Sequence, residues 1–135
     1  MLDDQSQLKF LVMKITLNIL STLMGLLFIN GGLDKFLHYM PMPENMPEAL
    51  ANDFAAFVEI EWLMPLVAVA EIVAGILIII PKTRALGALV IFPVAVGILL
   101  TNSVVDTSGL IIALVIWAIL IWILLDNRKK YAPLF

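Results

Sequence analysis

Cysteine is absent from these 135 residues, and histidine occurs once, as His38. With no thiol there is no disulfide, no thiolate metal ligand and no thiol nucleophile. A single imidazole cannot build a multi-histidine metal centre, so no metal site is expected. Charge is scarce as well: 14% of residues are Asp, Glu, Lys or Arg, against about 25% in soluble domains. No phosphate-binding loop, dinucleotide glycine pattern, HExxH pair or nucleophile elbow occurs. No cofactor is therefore evident, and an autonomous enzyme is the least supported function class. No basic patch suggests nucleic acid as a partner. The alternation that marks a membrane β-barrel is also missing.

What the chain does have is apolar length. It is 62% hydrophobic with a mean hydropathy of +1.05, which predicts one integral membrane domain over residues 1–135. Uncharged or nearly uncharged runs cover 10–33, 63–80, 85–100 and 109–125. A spanning helix takes about 20 residues, with a range of about 17–25. The third run reaches that length if Arg84 and Thr101–Ser103 lie at its ends, so it is read as 84–103. The fold class expected is all-α, a four-transmembrane-helix bundle with an outer amphipathic helix between helices 1 and 2. The opening MLDDQSQ is acidic and has no small-residue cleavage site after a short apolar core, so segment one is expected to stay as an uncleaved anchor.

The basic residues give an orientation. Lys9, Lys14, Lys82, Arg84, Arg128, Lys129 and Lys130 all fall at one side of the four runs, and Lys35 alone falls at the other. The positive-inside rule then places both termini in the cytoplasm of a bacterial inner membrane protein.

Glu71 stands out because it is a lone carboxylate within 63–80. Such a residue costs roughly 2.5–3.5 kcal/mol at membrane depth and faces a bundle interior, a partner or a wet cavity. Segment one carries a stripe at Lys14, Asn18, Ser21, Gly25, Phe28 and Gly32, and segment two a stripe at Ala68, Glu71 and Gly75. Helical spacing puts each set on one face, and small residues let backbones approach closely in lipid. Gly25, Gly32 and Gly75 are thus predicted helix-packing positions. Counted from the cytoplasmic ends, Asn18 and Glu71 come out at similar depth, so Glu71 is expected to be protonated or hydrogen-bonded to a group such as Asn18. Three prolines follow in the outer loop at 41, 43 and 47. Asn45, Pro47 and Glu48 read as cap, first-turn proline and capping-box acid of a helix over about 47–61. Its apolar face would hold Leu50, Phe54, Phe57 and Val58. Pro81 ends segment two, Pro93 is expected to kink segment three, and segment four reads as facing lipid or a partner.

The residues Phe28-Ile29-Asn30-Gly31-Gly32-Leu33-Asp34-Lys35-Phe36, then Leu66-Val67-Ala68-Val69-Ala70-Glu71-Ile72-Val73-Ala74-Gly75-Ile76-Leu77, then Arg84-Ala85-Leu86-Gly87 together resemble the DoxX-like family of small bacterial four-helix membrane proteins. The similarity runs over nearly the whole chain. That resemblance implies an accessory or scaffold subunit, tied to a quinone-linked redox assembly, with quinone as the cofactor class to consider. A thiol-handling role would need cysteine, which this chain lacks. The alternative is a small proton-coupled transporter or lipophilic-ligand-binding bundle that uses Glu71. Candidate ligand- or proton-handling residues are Glu71, Asn18, Asn30, Asp34, Lys35 and His38; no catalytic residue is assigned. Partners expected are the lipid bilayer and either another membrane protein or further copies of this chain.

Overall fold

A computed structural model describes residues 3–135, and among them every regular element is helical. The order is α1 (Asp4–Leu37), α2 (Glu48–Glu59), α3 (Leu63–Ile79), α4 (Arg84–Leu100), α5 (Leu110–Asp126) and α6 (Arg128–Tyr131). A π-turn, Thr101–Val105, extends α4, and single 3₁₀ turns precede α5 and follow α6. Among the described residues three continuous helices are long and apolar enough to cross a membrane: Asp4–Leu37, Arg84–Val105 and Thr107–Asp126. Helices α2 and α3 pass the same test jointly but are bent by 94° at the break between them, which makes up to four spans.

Helix α1 is longer at both ends than its apolar run. Asp3 caps it: the carboxylate accepts from the Ser6 backbone N–H at 2.6 Å, and that backbone bond holds the Asp3 carboxyl below its ordinary value. At the other end His38 adopts the left-handed conformation, φ 53° and ψ 46°, and its N–H closes on the Asp34 carbonyl. Because the helix stops at Leu37, Asp34 and His38 do not share a helical face. Helix α2 starts one residue after Pro47, which occupies the cap position with no side-chain cap bond. The expected Asn45 cap and capping box do not form, since the fixed proline φ itself sets the first turn.

The close contacts are built from small residues. A Cβ on Gly25 would lie 2.6 Å from the Gly75 carbonyl, and one on Gly32 would lie 2.6 Å from the Ala68 carbonyl. Helices α1 and α3 therefore touch backbone to backbone and run antiparallel. Gly87 likewise admits Ile78, bringing α4 against α3. Pro81 stops α3, and the turn that follows satisfies its orphan carbonyls. Thr83 Oγ1 donates to Leu77 O at 2.8 Å, Arg84 Nε to Ile78 O at 2.7 Å and Arg84 Nη2 to Ile79 O at 3.1 Å. Those four-carbonyl ends need such partners wherever water is excluded.

Helix α5 is apolar all round yet has a definite inner face. Ala113, Ile116, Leu120 and Ile123 are buried on it, so segment four is a core-forming helix as well as an outward-facing one. Trp117 stacks edge to face on Phe92 at 5.4 Å, and its indole N–H donates to Ala95 O at 2.9 Å. The core joins Leu17, Met24 and Phe28 of α1 to Ala74 and Ile78 of α3, to Ala88, Ile91 and Ala95 of α4, and to α5. Outside it, Leu23, Leu26, Leu66, Leu86, Ile111 and Leu114 stand exposed on successive helices. Apolar surface this extensive is foreign to a soluble monomer and matches a helix surface immersed in lipid.

Candidate functional site

The glycine contacts set a register between α1 and α3. Gly25 meets Gly75 and Gly32 meets Ala68, so seven residues forward on one helix answer seven back on the other. The same register puts Glu71 opposite Ile29, and Asn18 opposite Lys82. Asn18 and Glu71 are accordingly about three helical turns apart, and the expected bond between them does not exist. The depth count failed because α1 begins at Asp4 and its first turns extend past the packed region: from Asp4 to Thr16 every side chain is exposed.

The partner of Glu71 is Lys35. Lys35 Nζ donates to Glu71 Oε2 at 2.8 Å, with Glu71 only 5% exposed. Helical Cα–Cβ bonds tilt towards the N-terminus, so a lysine near the C-terminal end of α1 directs its stem back along the helix toward Glu71. Gly31 lies beside the acid: a Cβ there would sit 3.5 Å from Oε2, an ordinary contact. Among the described residues Lys35 is the one hydrogen-bond partner of the carboxylate. One oxygen of Glu71 and two of the three Lys35 N–H groups remain for something else.

That pair borders a cavity of about 640 Å³ between α1, α2, α3 and α4. Its walls are apolar, with Phe57, Leu66, Val67, Val90, Val94 and Ile98 among them, and Pro93 and Gly97 belong to the α4 wall. Asn102 and Thr101 add a second polar group at the end of α4. Asn102 Nδ2 donates one hydrogen to the Ile98 carbonyl at 2.8 Å and keeps a second N–H, while its side-chain oxygen packs against Gly109. An apolar chamber with a few convergent polar groups is the usual form of a small-molecule site.

A second cavity, of about 490 Å³, opens at the other end of the helices and is lined by Lys14, Asn18, Arg84, Asp126 and Lys130. Lys14 pairs with Asp126 at 3.1 Å, and Arg84 Nη2 donates to Asn18 Oδ1 at 2.8 Å. Tyr131 folds over the start of α4, its hydroxyl donating to Ala85 O at 2.9 Å. Burial pushes this phenol above its ordinary value.

The DoxX family model matches residues 17–103. The chain belongs to the DoxX family. An uncharacterized protein of Bacillus subtilis (strain 168), YwoB, is 32% identical to it over 65 residues, which are 48% of this chain and 42% of that protein. The chain thus aligns with less than half the length of that relative. No solved structure matches it significantly. The family match begins at Leu17, the first buried residue of α1, and takes in Lys35, Glu71, Arg84 and Asn102.

Of the sequence-predicted site residues in this DoxX chain, only Glu71 and Lys35 are joined through their side chains. Asn18 serves Arg84 at the opposite end. Asn30 fastens the loop after α1: the Tyr39 hydroxyl donates to its carbonyl at 2.9 Å and also meets its side-chain oxygen, while Nδ2 points to Met40 Sδ at 3.5 Å. Asp34 accepts from the Met40 backbone N–H at 2.7 Å, and His38 is an exposed helix terminator. Neither lines either cavity. Sequence reasoning missed Phe57, Gly31 and Arg84. Arg84 carried a usable signal, since it lies three residues after Pro81, at the end of an apolar run whose last carbonyls need donors.

Proposed function

We propose that this DoxX protein holds a lipophilic ligand with a hydrogen-bonding head, of the quinone class, in the chamber bordered by Glu71 and Lys35. The observation that carries this reading is the juxtaposition of one membrane-depth ion pair with an apolar cavity of about 640 Å³. A ring carbonyl can accept from a Lys35 N–H, a ring hydroxyl can donate to the free Glu71 oxygen, and the apolar walls suit a ring and a tail. The chain carries no redox cofactor motif, so a bound quinone would be handed to or from another protein. That agrees with an accessory subunit of a quinone-linked redox assembly in the bacterial inner membrane.

The same reading treats the molecule as a four-span bundle in one domain. Helix α3, with 17 residues, is about 25 Å long and sits at the lower limit for a span. Helix α2, turned 94° from it, would lie along the outer boundary, with Leu50 and Phe57 toward the bundle.

Protein in phosphatidylcholine nanodiscs, titrated with a short-chain benzoquinone, tests the proposal. The thermal midpoint of wild type should rise with quinone, and the rise should be absent in Glu71→Gln and Lys35→Met. An alkane of similar length should have no effect. Equal responses from wild type and both variants would sink the reading.

A further inference from the structure

We infer that the cavity at the basic end of the bundle is an anion site for a phosphate group, carried either by a phospholipid headgroup or by free phosphate. It is separate from the chamber at Glu71 and does not depend on what that chamber holds. The inference starts from Arg84. Its side chain is 6% exposed, and all its hydrogen-bond acceptors are neutral: the carbonyls of Ile78 and Ile79 and the amide oxygen of Asn18. Among the described residues no carboxylate lies within ion-pair distance of it. Asp126, on the same cavity, acts on it through space but beyond ion-pair distance, and natural structures pair a buried charge directly.

The cavity in front of Arg84 has the shape and charge to supply that partner. Its volume is about 490 Å³, against about 30 Å³ for one water in the liquid. Four charged groups face it: Arg84 from α4, Lys14 from α1, Lys130 from α6 and Asp126 from α5. Lys14 and Asp126 neutralise one another at 3.1 Å, which leaves Arg84 and Lys130 as an excess of two positive charges. The Arg84 bonds use Nε and Nη2, and Nη1 is free of any hydrogen bond among the described residues. Tyr131 holds α6 against Ala85, which keeps the exposed Lys130 at the cavity it lines. The two N–H groups of a free guanidinium Nη1 with an ammonium beside them can hold a phosphate oxygen by charge-assisted hydrogen bonds. Ile15, Leu17 and Pro81 supply apolar walls, and basic pockets between helices at the membrane surface take anionic headgroups.

Full-length protein in phosphatidylcholine nanodiscs would be titrated in two arms, with phosphatidylglycerol and with inorganic phosphate at fixed ionic strength. Thermal midpoint and native mass spectrometry would report binding. A response to phosphatidylglycerol alone identifies a lipid headgroup site, and a response to phosphate as well identifies a free-anion site. Lys130→Gln should weaken binding about fivefold, the effect of one surface cation. Asp126→Asn should tighten it, because the competing carboxylate is gone and Lys14 is released. A merely destabilised fold cannot mimic that gain. Lys9→Gln, outside the cavity, should change nothing. Arg84→Gln should abolish binding; it also loses the α3 carbonyl bonds, so the Lys130 and Asp126 variants decide. No binding in either arm would overturn the assignment. So would Lys130→Gln binding like wild type, or Asp126→Asn failing to bind more tightly.

Discussion

At Glu71 the two ways of breaking the ion pair should cost different amounts. Lys35→Met leaves a carboxylate nearly enclosed with no cation in reach. Removing one partner of a buried pair typically costs about 3–5 kcal/mol, and the partial exposure of Lys35, 26% of its side chain, puts this case at the lower end. Glu71→Gln leaves a lysine instead, and a lysine can extend its stem and carry the ammonium to the surface. Its cost should be about 1–2 kcal/mol, because an amide oxygen can still accept from Nζ. The double substitution should recover part of the combined loss, a coupling of about 1–3 kcal/mol. Unfolding midpoints in detergent for the two single variants and the double variant measure this directly. Additive losses would mean that the 2.8 Å contact contributes nothing to stability. The pair was only half legible in the sequence. Glu71 announces itself as the lone acid of an apolar run, but Lys35 reads as an interfacial cation until the tilt of its side chain along α1 is known. Asn18 was matched to the wrong partner because residue counting could not see that α1 continues several turns beyond the bundle.

Helix packing shows what small residues contribute and where they are dispensable. Gly25 and Gly75 stand at a contact where an added Cβ would meet a carbonyl oxygen at 2.6 Å and 2.5 Å respectively. Backbone cannot step aside as a side-chain end can, so Gly25→Ala and Gly75→Ala should each destabilise the helix pair by about 1–3 kcal/mol. Leu at either position should do worse. Gly97 is the internal control: nothing lies within 4 Å of its would-be Cβ. Gly97→Ala should be neutral or stabilising by up to about 1 kcal/mol, since it removes only helix-interior flexibility. Thermal unfolding in one detergent ranks the three, and a Gly97→Ala variant as damaged as Gly25→Ala would contradict the contact geometry. At this scale much was readable, for a physical reason. Apolar length and helical periodicity are local properties, so the helical, membrane-spanning character of the chain follows from composition alone. Boundaries were harder. Asp3 lengthened α1 at its start, a left-handed His38 ended it, Pro47 displaced Asn45 as the cap of α2, and a π-turn carried α4 on to Val105. Each of these depends on one backbone conformation that hydrophobic patterning does not report.

Across the whole molecule the helix directions gather one sign of charge. Antiparallel packing of α1 on α3 places the start of α1 beside Pro81 and Arg84, and the Lys14–Asp126 pair and the Tyr131–Ala85 bond bring the end of α5 and α6 to the same level. Lys14, Lys82, Arg84, Arg128, Lys129 and Lys130 therefore share one end of the bundle, while Lys35 stands at the other, drawn inward to Glu71. That asymmetry in Lys and Arg is what governs orientation on insertion. The expected topology has both termini in the cytoplasm and the segment from Met40 to Trp62 outside. The natural absence of cysteine makes the test clean, because each introduced thiol is the sole target. Gln5, Asn52 and Lys129 are exposed and suit single cysteine substitutions; Asn127 does not, since it is buried and its amide donates to the Ile123 carbonyl at 2.8 Å. In intact spheroplasts an impermeant maleimide should label position 52 only, and positions 5 and 129 should react once the membrane is opened. Labelling at 5 or 129 but not at 52 would invert the molecule. The anion site would then face outward and the Glu71 chamber would open toward the cytoplasm.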